Sequence, residues 1–206
     1  MGQGLSNGPL GAGTAHLCID MQRLFAPGGP WPTPWAPRIL PAVLALVERA
    51  PGRTVFSRFM PPDKPEDMPG AWQRFYARWR HLTGEMIAPE LLDLVPELAA
   101  FSPPAHVVDK SRYSVFSGPL CLPTLRRLNV DTLVLSGAET DVCVLATVFD
   151  AVDLGFRTII ARDAMCSSSD TGHDAVVTML RARLPQQVEL AETQEILAAW
   201  SPLGAF

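Results

Sequence analysis

The chain has 206 residues, 48% of them hydrophobic and 18% charged, with a net charge of -4. That is a globular profile with room for one domain and a sizeable core, and it carries no basic footprint for nucleic acid. No apolar run approaches the roughly 20 residues a membrane helix needs. Residues 1–14, MGQGLSNGPLGAGT, are glycine-rich without the apolar centre of a secretory leader. They are expected to form a flexible tail ahead of a single domain over 15–206.

Apolar runs then alternate with helix-period segments. His16 to Asp20 reads as a short strand and Pro37 to Ala50 as a helix with Leu40, Val43, Leu44 and Val47 on one face. Thr54 to Ser57 is a second strand. Ala71 to His81 is helical, with Trp72, Phe75, Tyr76 and Trp79 at i, i+3, i+4 and i+7. Glu90 to Ala100 is helical with Pro96 as an interruption. His106 to Asp109 is the third strand, Pro119 to Leu128 a helix, Thr132 to Ser136 the fourth strand, and Val142 to Leu154 a helix closed by Gly155. Thr158 to Ala161, Thr171 to Leu184, Gln187 to Leu190 and Thr193 to Trp200 complete the alternation as strand, helix, strand and helix. Such an order predicts an α/β fold: a parallel sheet with helices on both faces and right-handed crossovers.

In open sheets of this kind, ligands bind beyond the carboxyl ends of the strands, where strand order reverses. The residues just past each strand therefore matter most. Strand one ends in Asp20, strand three runs into Asp109 and Lys110, and strand four leads through Gly137-Ala-Glu-Thr-Asp-Val142 to Cys143. Taken singly, each has an ordinary reading: Asp20 as a turn or cap, Lys110 as a solvated strand-end charge, Cys143 as a small buried hydrophobe. Taken together, they place a carboxylate, an ammonium and a thiol on one edge of the sheet. A thiol attacks as the thiolate, which a helix N-terminus and a nearby ammonium favour. Asp20 can take the thiol proton and return it to a leaving amine. Lys110 is one of only two lysines beside 15 arginines, and a compact point charge suits such a place better than a wide fork. Cys18, Cys121 and Cys166 show no pairing pattern with Cys143 or one another, so reduced thiols and a cytoplasmic location are expected.

Four segments resemble the isochorismatase-like cysteine hydrolases, a family that includes nicotinamidases and N-carbamoylsarcosine amidohydrolase. They are CIDMQRLF (18–25), VDKSRYSVF (108–116), SGAETDVCVLATVFDAVDLGF (136–156) and ARDA (161–164). The resemblance implies a six-stranded, Rossmann-like three-layer sandwich, often oligomeric. It implies that Asp20 is the general base, Lys110 its charge partner and Cys143 the nucleophile. It also implies a cis peptide at Ala138–Glu139, with the N–H groups of Glu139 and Cys143 facing an oxyanion, and Gln22 and Phe25 lining the site.

The departures narrow the chemistry. Nicotinamidases carry an aspartate and histidines after strand two that bind a metal; here that stretch reads Phe56-Ser-Arg-Phe-Met-Pro-Pro62. No metal and no other cofactor are expected. Isochorismatases proper cleave a vinyl ether and generally lack the cysteine, so Cys143 favours attack on an amide, ureido or lactam carbon through a thioester. A vinyl-ether hydrolase, or a thiol sensor or binding module on the same fold, is the alternative. Trp31, Trp35, Phe59 and Tyr113 are expected as an apolar wall around a small-molecule amide, with Arg58 as a grip on its carboxylate or carbonyl. The aromatic stripe of residues 72–79 is expected as buried core, or as a contact between subunits of a homo-oligomer.

Overall fold

The computed structural model describes residues 4–201. Its six strands are β1 Thr14–Ile19, β2 Thr54–Phe59, β3 His106–Lys110, β4 Thr132–Ala138, β5 Arg157–Cys166 and β6 Val188–Ala191. All pair in parallel, in the order β3-β2-β1-β4-β5-β6. Seven helices are interleaved: α1 Ala36–Arg49, α2 Ala71–Arg78, α3 Pro96–Ala99, α4 Cys121–Arg127, α5 Leu145–Asp153, α6 Asp170–Arg183 and α7 Thr193–Ala199. This is the expected α/β sandwich.

Every residue of β1 and of β4 is buried, as strands covered on both faces must be. Alternation splits their side chains between two cores. Cys18 and Val134 pack with Val43, Leu46 and Trp200 on one face. Leu17, Ile19 and Leu135 pack with Leu125, Val148 and Leu180 on the other. A third cluster, built around Leu24, Phe59, Tyr76 and Leu82, carries the partly buried Trp31, Phe75 and Trp79.

From β1 the strand order runs outward through β2 to β3 on one side, and from β4 through β5 to β6 on the other. The carboxyl ends of β1 and β4 meet at that reversal. Their register pairs Ile19 with Gly137, and the approach demands glycine: Gly137 has φ +108°, and a Cβ there would sit 2.1 Å from the Ile19 carbonyl oxygen.

Several expectations need correction. β2 continues through Phe59, so Arg58 and Phe59 are strand residues that point to opposite faces. Pro96 opens α3 instead of interrupting a helix, because its missing N–H would be unpaired in a first turn anyway. The helix after β4 starts as a π-helical turn over Thr140–Val144 before α5. Residues 4–13 of the expected tail are docked. Leu10 is buried, its N–H donates to Ala199 O at 2.9 Å, and it accepts from Ser201 N–H at 3.0 Å. The N–H groups of Ser6 and Asn7 donate to Glu189 Oε2 at 2.7 and 3.1 Å. One apolar anchor and an edge carboxylate thus hold a glycine-rich segment. Residues 1–3 of that tail and 202–206 of the expected domain lie outside the described residues.

Candidate active site

Asp20 is fully buried at the end of β1, with a left-handed backbone at φ +51°. That region is sparsely populated for residues other than glycine, and is held only where surrounding contacts over-determine it. Here they do. The β1/β2 register, Cys18 beside Phe56, brings Ser57 next to the strand end. Asp20 N–H donates to Ser57 Oγ at 3.2 Å, and the Ser57 hydroxyl donates back to Asp20 Oδ1 at 2.6 Å. The sequence reading missed Ser57; its one signal was a small polar residue directly after the apolar pair Val55 and Phe56.

Lys110 closes β3, two strands away, and its side chain is fully buried. Its Nζ donates to Asp20 Oδ2 at 2.7 Å, to Arg112 O at 3.1 Å and to Cys143 Sγ at 3.4 Å. It also lies 4.9 Å from the Phe59 ring centroid, so the ammonium has polar partners and an aromatic neighbour. Cys143 sits within the π-helical turn that begins the helix after β4. Its carbonyl accepts from Thr147 Oγ1 at 2.7 Å, and that hydroxyl accepts from Val115 N–H at 3.1 Å. The three groups singled out at the strand ends therefore meet at one point.

The electrostatic balance differs from the expected one. Burial pushes the Cys143 thiol well above its ordinary value and the Asp20 carboxylate pushes it further, while the Lys110 ammonium pulls only partly the other way. For Lys110, burial pulls downward, but the charge of Asp20 and the hydrogen bond to it outweigh that and hold the ammonium. Burial and the Asp20 charge thus oppose a preformed thiolate, and the Lys110 ammonium offsets them in part. Burial also pushes Cys18, Cys121 and Cys166 up to about 12, which fits packing roles.

Cys143 opens onto a cavity of about 340 Å³. Phe25, Trp31, Phe59 and Tyr113 line it as expected, and Phe75, Trp79, Val142, Glu139 and Ser168 line it too. The aromatic stripe is thus divided: Tyr76 is fully buried core, while Phe75 and Trp79 face the cavity. The Ala138–Glu139 peptide is cis, and Glu139 Oε1 accepts from Ser168 N–H at 3.0 Å.

Three expected lining residues are elsewhere. Gln22 is buried as a brace: its Oε1 accepts from Phe59 N–H at 2.6 Å, and its Nε2 donates to Phe59 O and Leu92 O at 3.1 and 2.8 Å. Arg58 turns to the opposite face of β2 and forks onto Asp109 Oδ1 and Oδ2 at 2.8 and 2.9 Å, with Asp93 at 3.8 Å. Trp35 lines a separate groove with Met165, Cys166 and His173. Among the described residues, no group of three or more His, Cys, Asp or Glu side chains is arranged to hold a metal ion. The nicotinamidase type of metal site does not fit the residues present after β2.

The sequence matches the isochorismatase domain family over residues 14–195. The chain belongs to the isochorismatase family. This isochorismatase-family hydrolase is 32% identical over 181 residues to maleamate amidohydrolase of Pseudomonas putida, covering 78% of this chain and 76% of the relative. In fold it is similar to a cysteine hydrolase from Pseudomonas syringae pv. phaseolicola, with a TM-score of 0.80 at 22% identity over 97% of this chain and 98% of that one. It is similar in the same way to a nicotinamidase from Bacillus subtilis, with a TM-score of 0.72 at 24% identity over 87% and 99%. At those identities the two structures speak for the fold alone.

Proposed function

We propose that this isochorismatase-family hydrolase is a metal-independent cysteine amidohydrolase that cleaves a C–N bond in a small amide, ureido or lactam substrate. The observation that carries the reading is the contact set at the cavity floor. One ammonium lies 2.7 Å from the Asp20 carboxylate and 3.4 Å from the Cys143 sulfur. The kinship with a maleamate amidohydrolase supports amide cleavage over vinyl-ether cleavage.

In this mechanism Cys143 Sγ attacks the carbonyl carbon as its proton passes to Asp20, so the buried thiolate need not exist before substrate arrives. The N–H groups of Glu139 and Cys143 hold the tetrahedral oxyanion. Asp20 gives its proton to the departing nitrogen, the C–N bond breaks, and ammonia or an amine leaves an acyl-thioester on Cys143. Asp20 next takes a proton from water, whose oxygen adds to the thioester carbon. Sulfur departs with that proton, and a carboxylic acid or carbamate is released. Lys110 remains charged throughout and offsets the negative charge that moves between sulfur and carboxylate.

The test is a screen of small amides and ureides for ammonia or amine release, and of lactams for the ring-opened amino acid, with intact-mass capture of an acyl adduct. Turnover and the adduct are both expected in the wild type and both absent in Cys143→Ala. A Cys143→Ala variant with full activity on any substrate would sink the reading in favour of a mechanism that does not use the thiol.

A further inference from the structure

Resting on that reading, the cavity defines the substrate more narrowly than the reaction does. Its wall is aromatic. Trp31 stands at the centre, with ring centroids 6.2 Å from Phe25, 6.1 Å from Phe75 and 5.6 Å from Trp79. Glu139 is the one charged residue among those that line it. The two cations expected near a ligand from the sequence are committed elsewhere. Lys110 is buried against Asp20 beneath the cavity, and Arg58 is forked onto Asp109 on the far face of β2.

A substrate carboxylate would therefore leave water for a largely aromatic wall that offers the Tyr113 and Ser168 hydroxyls but no lining cation, with a like charge beside it, which is unfavourable. A cation meets the opposite field: ring faces attract it, and the Glu139 carboxylate supplies the countercharge. The protein already uses such contacts, with Lys110 Nζ at 4.9 Å from the Phe59 ring and Arg78 at 5.9 Å from the Trp79 ring. We infer that the physiological substrate is an amide without a carboxylate, carrying an ammonium-type cation on an apolar body held between the Trp31 and Trp79 walls and Glu139.

Three primary amides of matched length test this: that of trimethylammoniobutyric acid, its uncharged carbon isostere with a tert-butyl end, and glutaramate. Binding is read by tryptophan fluorescence in Cys143→Ala, and ammonia release in the wild type. The cation should bind roughly tenfold more tightly than the isostere, the size of a desolvated cation–π contact, and glutaramate should bind weakest. Glu139→Gln should narrow the gap between cation and isostere severalfold. An isostere that binds as well as the cation, a preference for glutaramate, or no measurable binding of the cation overturns the inference. If the binding order holds while the wild type releases ammonia from none of the three, the ligand class stands and the amidohydrolase reading fails.

Discussion

Lys110 Nζ stands 2.7 Å from Asp20 Oδ2 and 3.4 Å from Cys143 Sγ, with no solvent exposure of either charged side chain. Removing one partner of a buried ion pair strands the other, at a cost of about 3–5 kcal/mol. Lys110→Met keeps the volume of the stem and removes the charge. Urea denaturation should show a loss of that order, and turnover should vanish. Lys110→Arg should not restore activity, because a planar fork cannot replace a compact ammonium between a carboxylate and a thiol. A Lys110→Met protein as stable as the wild type would mean that the pair contributes nothing.

The same contact set makes an unusual prediction for Asp20→Asn. Burial and the Asp20 charge both hold the Cys143 thiol in its protonated form. The variant deletes one of these two influences and leaves the Lys110 ammonium facing the sulfur. Cys143 should then ionise at lower pH than in the wild type, and iodoacetamide should alkylate it faster near neutral pH, while turnover is lost with the proton acceptor. Mass spectrometry of each cysteine across a pH series reads this directly. An alkylation profile identical to the wild type would show that the carboxylate does not act on the sulfur.

Gly137→Ala should be disproportionately damaging for one methyl group. The substitution places a Cβ 2.1 Å from a backbone oxygen of β1, at a φ of +108°. Either β1 or β4 must move, and β1 carries Asp20. We expect a destabilisation of about 2–4 kcal/mol by chemical denaturation, from overpacking and backbone strain together, with activity lost even where folding survives.

His16, fully buried on β1 with Nε2 2.7 Å from Ser136 Oγ, should make the fold acid-sensitive. Burial pulls its pKa from 6.5 to about 3. The unfolded chain takes up this proton below about pH 6.5 and the folded chain only near pH 3. The contribution is therefore complete above the unfolded value and is lost as pH falls toward the folded one, by up to about 1.4 kcal/mol per pH unit. Glu189 acts in the same direction lower down. Burial opposes it, but Arg157 and the N–H groups of Ser6 and Asn7 hold its pKa at about 2 against an ordinary 4.5. Between pH 6.5 and 4.5 the His16 slope is thus separable. Urea denaturation should show it in the wild type and a flatter profile in His16→Gln. Equal slopes in the two proteins would rule His16 out.

The fold and the three central residues were legible because both follow from local pattern. Strands covered on both faces read as apolar runs, and their alternation with helices implies a parallel sheet. Asp20, Lys110 and Cys143 stand directly at or just past strand ends, so a correct sheet carries them to one edge. The side chains around them were less legible. Arg58 and Phe59 are neighbours in sequence, yet β2 extends far enough to turn one onto Asp109 and the other into the cavity. A strand end placed two residues early hides that alternation. Gln22 bears a polar side chain next to the site, but its three hydrogen bonds go to the end of β2 and to Leu92.

By itself, the sequence determined the class of fold and placed a carboxylate, an ammonium and a thiol at or beyond the ends of three strands. Short-range periodicity and residue chemistry suffice for those. Only the tertiary structure shows that burial pushes the Cys143 thiol upward against the pull of the neighbouring ammonium. It alone decided the character of the cavity as well. That depends on which long-range partners claim Arg58, Gln22 and Trp35, and on which face of α2 is turned toward Trp31.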